Sequence, residues 1–226
     1  MTAHDNEEQA TTSLAGRIAD FQAELLPTIP AEVLQAMREG GEQIAGLGIE
    51  QKALRTGAAM PDVTLPNAAG NQVNVGQLLA GGALVLSFYR GSWCPYCSLE
   101  IRALSENLAA LRARGADLVA ISPQLPDISR QQVSDLQLDF EVLSDAGNAV
   151  ARQFGLVFTL PEILRPAYAA WGVDLQARNG DDSFELPVPA TYIVDRHGII
   201  RYHFIDSDYT HRCEPALVLE QLEMLR

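Results

Sequence analysis

Apolar and polar residues change their spacing along this chain, and the change divides it into two parts. Before residue 58 the apolar residues recur at steps of three and four, as on one face of an α-helix. Thr12 or Ser13 can cap the first helix, and Gly40-Gly41 interrupts the second. The first helical series is formed by Leu14, Ile18, Phe21 and Leu25, and the second by Val33, Leu34, Met37, Ile44 and Leu47. We predict an N-terminal tail and helical extension over residues 1–57.

From residue 58 onward, short extended segments alternate with helical ones. Residues 83–88, 118–121 and 140–143 are apolar runs typical of buried strands, and a hairpin is indicated on either side of residues 67–71 and 196–198. A helix between the first two buried strands predicts that they pair in parallel. Residues 58–226 therefore form one α/β domain. Glu214-Pro215 opens a closing helix that turns Val218, Leu222 and Leu225 inward.

The sequence does not identify the packing partners of two segments. The apolar faces of the N-terminal helices must be buried against the main domain or another subunit. Residues 156–186 form an insertion, with a helix near Pro161 to Trp171 and a polar loop at 179–182. The insertion either lines a substrate pocket or packs against a partner subunit.

The chemistry is centred on Cys94-Pro95-Tyr96-Cys97, which follows the first buried strand. Pro95 suits the first position of a helix, because its missing N–H would have no partner there. A cysteine just before it meets unpaired N–H groups and the positive end of the helix dipole, and both favour a thiolate. Cys97 lies one turn further on the same side. We therefore interpret the motif as a redox site in which the pair closes and opens reversibly.

Two other uses of the cysteines are weaker. No second pair of cysteines or histidines completes a zinc site. A disulfide between residues three apart closes too small a loop to restrain the unfolded chain much. Cys213, the third cysteine, is either a second resolving thiol or a small semi-buried side chain.

Three separated motifs carry a resemblance to a known family. They are Leu-Ser-Phe-Tyr-Arg-Gly-Ser-Trp-Cys-Pro-Tyr-Cys ending at Cys97, Val-Pro-Ala-Thr-Tyr-Ile-Val-Asp from Val188, and Asp-Tyr-Thr-His-Arg-Cys-Glu-Pro from Asp208. Together they resemble the peroxiredoxin-like branch of the alkyl hydroperoxide reductase and thiol-specific antioxidant family, over roughly residues 58–226. The resemblance implies a thioredoxin-like fold, a mixed central sheet flanked by helices, here with the N-terminal helical extension.

The resemblance also implies roles for individual residues. Cys94 would attack a peroxide and Cys97 would resolve the sulfenic acid. Arg90 and Arg212 would supply positive charge beside the sulfur, against the alternative of two surface arginines. The substrate pocket or the docking surface for a reductant would involve Ser92, Trp93, Tyr96 and Pro189, with Pro189 at the position of the cis-proline of thioredoxin-like folds.

The chain departs from the better-known pattern Pro-x-x-x-Thr-x-x-Cys. Ser87 stands in place of the proline and Gly91 in place of the threonine, which normally orients the peroxide. Fast peroxide reduction is therefore in question unless Ser92 substitutes. Ser92 serves equally well as a helix cap.

Composition limits the partners. A net charge of -13 argues against binding nucleic acid, whose phosphates need Lys and Arg. No run of 18 or more apolar residues or leader is present, so we expect a cytoplasmic protein that binds no membrane, metal or cofactor. A homodimer is compatible with the sequence.

Three functions follow from these observations. The first is a thiol peroxidase for hydrogen peroxide or organic hydroperoxides, recycled by thioredoxin or a similar dithiol. The second is a thiol-disulfide oxidoreductase acting on proteins, and the third is a redox sensor without turnover. Consumption of peroxide, against reduction of a protein disulfide, separates the first two.

Overall fold

The computed structural model describes residues 13–225, and its strands follow the predicted apolar runs. All three buried strands of the prediction are present. In chain order the strands of the described residues are β1 (Thr64–Pro66), β2 (Gln72–Asn74), β3 (Ala83–Phe88), β4 (Ala116–Ser122), β5 (Glu141–Ser144), β6 (Val157–Thr159), β7 (Glu185–Pro187), β8 (Ala190–Val194) and β9 (Ile200–Ile205).

A mixed five-stranded sheet forms the centre of the domain. Its order is β5-β4-β3-β8-β9, with β3, β4 and β5 parallel and with β8 and β9 added antiparallel. Central strand β3 pairs with β4 on one side and β8 on the other, so that Val85 lies between Leu118 and Ile193. Every residue of β3 after Ala83 is buried. This is the α/β, thioredoxin-like arrangement that the sequence predicts, and it places the loop after Phe88 at the carboxyl edge of the sheet.

Helices cover both faces of the sheet. Their bounds are α1 (Leu14–Leu25), α2 (Ala31–Ala45), α3 (Ile49–Lys52), α4 (Val75–Leu78), α5 (Pro95–Glu106), α6 (Leu108–Ala113), α7 (Pro126–Leu136), α8 (Ala149–Gln153), α9 (Arg165–Ala170), α10 (Leu175–Asn179) and α11 (Pro215–Glu223). Single 3₁₀ turns lie at Leu26–Thr28, Leu79–Gly81 and Glu162–Leu164. Within residues 13–225 no helix is long and apolar enough to cross a bilayer.

Several predicted helix boundaries are wrong. The single helix predicted between the first two buried strands is divided at Asn107, where α5 ends and α6 begins. Its buried face from Cys97 to Leu111 is nevertheless continuous. The closing helix stops at Glu223, so Leu225 is exposed rather than inward. Gly40-Gly41 does not interrupt α2. Gly40 packs against Leu164 so closely that a Cβ there would lie 2.6 Å from that side chain.

The N-terminal extension packs against its own domain. Leu14 and Ile18 of α1 are buried in the same apolar cluster as Cys94 and Cys97. Glu214, at the start of α11, accepts hydrogen bonds from the Leu14 and Ala15 N–H groups at 3.1 and 2.7 Å. Negative charge at the N-terminus of a helix also interacts favourably with the helix dipole. The extension is thus one wall of the redox site, while residues 1–12 lie outside the described part.

The insertion, like the N-terminal extension, packs beside the redox site. β6 and β7 pair antiparallel and close it at its base, and its helices α9 and α10 lie between them in the chain. Ile44 of α2 and Leu164 and Tyr168 of the insertion share one apolar cluster. The insertion therefore packs against α2 beside the redox site.

Pro189 lies at the start of β8, but its peptide bond is trans, as are all the peptide bonds of the described residues. The prediction of a cis-proline is therefore wrong. A trans bond before proline is favoured by about 0.5–1 kcal/mol unless packing selects the other isomer. Here Val188 continues the extended chain from β7 and donates its N–H to Leu156 at 2.8 Å.

Candidate active site

Cys94 lies at the junction of β3 and α5, as predicted. Its backbone is extended, Pro95 occupies the first helical position, and the Cys94 sulfur accepts the N–H of Cys97 at 3.4 Å. The sulfur therefore caps the helix where positive backbone groups converge. Cys94 and Cys97 are both reduced and completely buried.

Arg90 is held directly against the Cys94 sulfur. Its Nη2 lies 3.0 Å from Cys94 Sγ, and its Nη1 donates to the Tyr168 hydroxyl at 3.1 Å. The guanidinium also lies over the Tyr209 ring, 4.1 Å from the centroid. Burial and these partners exclude the alternative of a surface guanidinium.

Arg212 is oriented mainly toward the second sulfur. Its Nη2 lies 3.5 Å from Cys97 Sγ, and its other N–H groups donate to Glu100 and to the Tyr209 carbonyl. Glu100 is buried in α5 and also accepts the Thr191 hydroxyl at 3.3 Å. Removing one member of such a buried ion pair leaves an uncompensated charge, at a cost of about 3–5 kcal/mol.

These contacts give the two thiols different pKa values. Burial by itself raises the pKa of the Cys94 thiol, but the hydrogen bond with Cys97 and the charges of Arg90 and Arg212 outweigh it and hold the pKa well below its usual value. Burial raises the pKa of Cys97 well above its usual value, and the adjacent Cys94 adds to the rise. These opposite shifts make Cys94 the sulfur that ionises more readily to a thiolate, whereas Cys97 beside it favours the thiol.

The loop before Cys94 explains the glycine at the position of the family's threonine. Gly91 has φ +146°, and a Cβ there would lie 2.4 Å from Trp93 Nε1. Ser92 does not cap the helix, whose N-cap is Cys94. Its N–H and hydroxyl both donate to Gln124 at 2.7 Å, so it fixes the loop.

The aromatic residues of the motif pack around the sulfur. Trp93 contacts Tyr168 edge to face at 5.3 Å, and Tyr96 contacts both Phe21 of α1 and Tyr209 at 5.4 Å. Tyr96 is buried and Trp93 is half-buried, and both pack in the same apolar cluster as Cys94. Their role in binding a substrate or a reductant stays a prediction.

Cys213 is separated from the motif by its environment. It is buried in a different apolar cluster, and burial raises the pKa of its thiol to about 12. The contacts of its sulfur are the Tyr202 hydroxyl and the Glu214 carbonyl, both at 3.9 Å, rather than either sulfur of the motif. Within the described chain, no group of three or more metal-ligating side chains is found.

Glu100, Gln124 and Tyr168 belong to the site but were not among the residues predicted from the sequence. Glu100 did carry a signal, since it is a charged residue on the buried face of α5 between Cys97 and Ile101. Gln124 and Tyr168 carried none, because their contacts join residues 32 and 78 positions apart.

Comparison with known proteins identifies the family of the chain. The family model described as AhpC/TSA matches residues 56–203. The chain belongs to the AhpC/TSA family. A family member, peroxiredoxin Bcp of Escherichia coli K12, is 33% identical over 104 residues, which are 46% of this chain and 65% of that protein. The chain therefore spans somewhat less than two thirds of this relative.

Other relatives agree. A chloroplastic peroxiredoxin Q of Triticum aestivum is 25% identical over 174 residues, covering 76% of this chain and 69% of the wheat protein. The crystal structure of peroxidoxin BcpB from Mycobacterium tuberculosis superposes with a TM-score of 0.61 at 21% identity, covering 76% of this chain and 99% of that one. The fold of the AhpC/TSA domain is thus shared, and α1 and α2 lie entirely outside the region that the family model matches.

Proposed function

We propose that this protein is a thiol-dependent peroxidase. The observation that carries the proposal is the contact between Arg90 Nη2 and Cys94 Sγ at 3.0 Å, which stabilises a thiolate and aims a donor at the place where a peroxide oxygen must develop charge. Membership of a family that includes proteins named peroxiredoxin supports the same activity.

The reaction has three steps. The Cys94 thiolate attacks the terminal oxygen of a hydroperoxide, the O–O bond breaks, and the departing alkoxide or hydroxide takes a proton to become an alcohol or water. Cys94 is then a sulfenic acid, which the Cys97 sulfur attacks to form the disulfide and release water. An external dithiol reduces the disulfide by exchange and is itself oxidised.

Burial favours a small oxidant over a protein disulfide. Neither sulfur is exposed, so a protein disulfide cannot reach Cys94 in the reduced fold, whereas a peroxide needs only a narrow path. Thioredoxin or a similar dithiol would act after the disulfide has become accessible. A reducing compartment such as the cytoplasm would supply such a dithiol.

The test separates the two cysteines. Pre-reduced Cys94→Ser should consume no peroxide. Cys97→Ser should still be oxidised once and should accumulate a sulfenic acid on Cys94, because no thiol lies one turn away to resolve it. Mass spectrometry after one equivalent of peroxide and dimedone locates the adduct. An adduct on Cys97 in the first variant, with none on Cys94 in the second, would reverse the roles.

A further inference from the structure

A partly open cavity of about 230 Å³ lies beside the redox site. Helices α1 and α2 contribute Phe21 and Met37 to its wall, and the insertion contributes Trp171. The residues directly around Cys94 form its inner end. Arg90 is the one charged side chain among the described residues that line it. A second, larger groove lies at the opposite, N-terminal ends of β3 and β4, away from the cysteines.

The inner end of the cavity is lined by Arg90, whose guanidinium has one buried donor, Nε, without a partner. Arg90 is only 4% exposed. A buried donor left without an acceptor costs about 1–3 kcal/mol, and such groups are rare in native proteins. The side of the cavity nearest Cys94 is thus suited to an oxygen acceptor, whereas the rest of the wall is suited to hydrocarbon.

The volume limits what can occupy the cavity. An engineered apolar cavity of about 150 Å³ stays dry and binds benzene, and pockets for drug-sized molecules start at about 300 Å³. The cavity here lies between these values. It is large enough for one aromatic ring with small substituents, whereas most of an extended fatty acyl chain would have to lie outside its opening.

We propose that this cavity binds the organic part of the peroxide substrate, and that the preferred substrate is a compact apolar hydroperoxide with a body about the size of one aromatic ring. This inference rests on the proposed peroxidase function and adds the substrate class. The peroxide group lies at the inner end, with its oxygens toward Arg90 and Cys94. Because α1 and α2 form one wall, the N-terminal extension determines specificity.

The experiment compares three peroxides by rapid mixing with pre-reduced protein. Hydrogen peroxide has no organic part, cumene hydroperoxide matches the cavity, and the hydroperoxide of linoleic acid exceeds it. Both tryptophans of the chain, Trp93 and Trp171, line the cavity, so their fluorescence reports on occupation and oxidation. Since apolar contacts discriminate by roughly 10–200-fold, cumene hydroperoxide should react at least about tenfold faster than each of the others.

A matched pair of variants tests the location. Gly41 lines the cavity, and a Cβ there would meet no atom within 4 Å. Gly41→Leu therefore places a side chain in the cavity with no clash at its Cβ. It should slow the cumene hydroperoxide reaction about tenfold while leaving hydrogen peroxide unaffected. Ala45→Leu changes an exposed residue of the same helix and should leave both rates unchanged.

The outcomes distinguish the two proposals. Equal rates for hydrogen peroxide and cumene hydroperoxide in the wild type, or an equal loss of both in Gly41→Leu, would overturn the substrate class and leave the peroxidase function intact. A faster reaction with the linoleic acid hydroperoxide would overturn the size limit. Failure of every peroxide to oxidise Cys94 would overturn the peroxidase function itself. Titration with 2-phenylpropan-2-ol, the alcohol product, gives a readout without turnover, and Gly41→Leu should weaken its binding.

Discussion

Arg90 and Arg212 each contact a different sulfur, and the difference assigns them different tasks. Arg90 touches Cys94 and has no carboxylate partner in the described structure, so its charge is directed at the nucleophile. Arg212 is shared between Cys97, Glu100 and the Tyr209 carbonyl. Geometry thus favours Arg90 for the first step.

Arg90→Leu should slow the oxidation of Cys94 by about 10²–10³-fold. A donor aimed at developing negative charge is worth about 2.7–4 kcal/mol, and leucine retains apolar volume without leaving an orphan carboxylate. Stopped-flow oxidation by hydrogen peroxide measures the effect. Arg102→Leu, which changes an exposed arginine of α5, is the control and should cost about 0–1 kcal/mol. Similar losses in both variants would remove the role of Arg90.

The low pKa of Cys94 predicts a specific pH dependence. The thiolate is the reactive form, so the reaction rate falls only as the pH drops through the pKa of Cys94 in the folded protein. That midpoint should lie well below the value of about 8.5 of a free cysteine. The ultraviolet absorbance of the thiolate, taken as the difference between wild type and Cys94→Ser, measures it. A midpoint at the free-cysteine value would contradict the assignment.

At the scale of elements, α2 packs closely against the insertion because Gly40 has no side chain. Gly40 is buried against Leu164, while the next residue, Gly41, has free space. Two adjacent glycines within one helix thus serve different purposes. One permits close packing and the other leaves the cavity open.

This contrast predicts opposite effects on stability. Both Gly→Ala changes gain roughly 0.5–1 kcal/mol of helix propensity, but at Gly40 the added methyl group lies 2.6 Å from Leu164 and overpacks the contact, which costs about 1–3 kcal/mol. Gly41→Ala should therefore be more stable than Gly40→Ala by about 1–3 kcal/mol. Urea unfolding of the two variants measures the difference. Equal stabilities would show that Leu164 moves away freely.

The spacing of apolar residues in the sequence predicted those elements in which that spacing is regular. Helix α1, helix α5 and the three buried strands were predictable because their apolar residues recur over several turns or pairs. Helices α3 and α10, with four and five residues, are too short to show a period. Gly40-Gly41 was misread because a glycine in a helix interior costs only about 1 kcal/mol, which tertiary packing against Leu164 can offset.

The same limit governs the site. Arg90, Cys94 and Cys97 are near neighbours in the chain, so their grouping around the helix start was predictable. Arg212 reaches Glu100 and Cys97 across 112 and 115 positions, and only the family resemblance pointed to it. No local pattern announces a pair so distant, and the Glu100 partner was therefore found only in the folded structure.

At the scale of the whole molecule, the two ends of the described chain meet over the reactive sulfur. The contact of Glu214 with Leu14 joins residues 200 positions apart. During synthesis the chain emerges N-terminus first, so the sheet and the cysteine helix are made well before the carboxylate that anchors α1. A nascent chain would carry Cys94 before its cover is secured, and the ribosome-bound protein would be open to oxidants and partners that the finished molecule excludes.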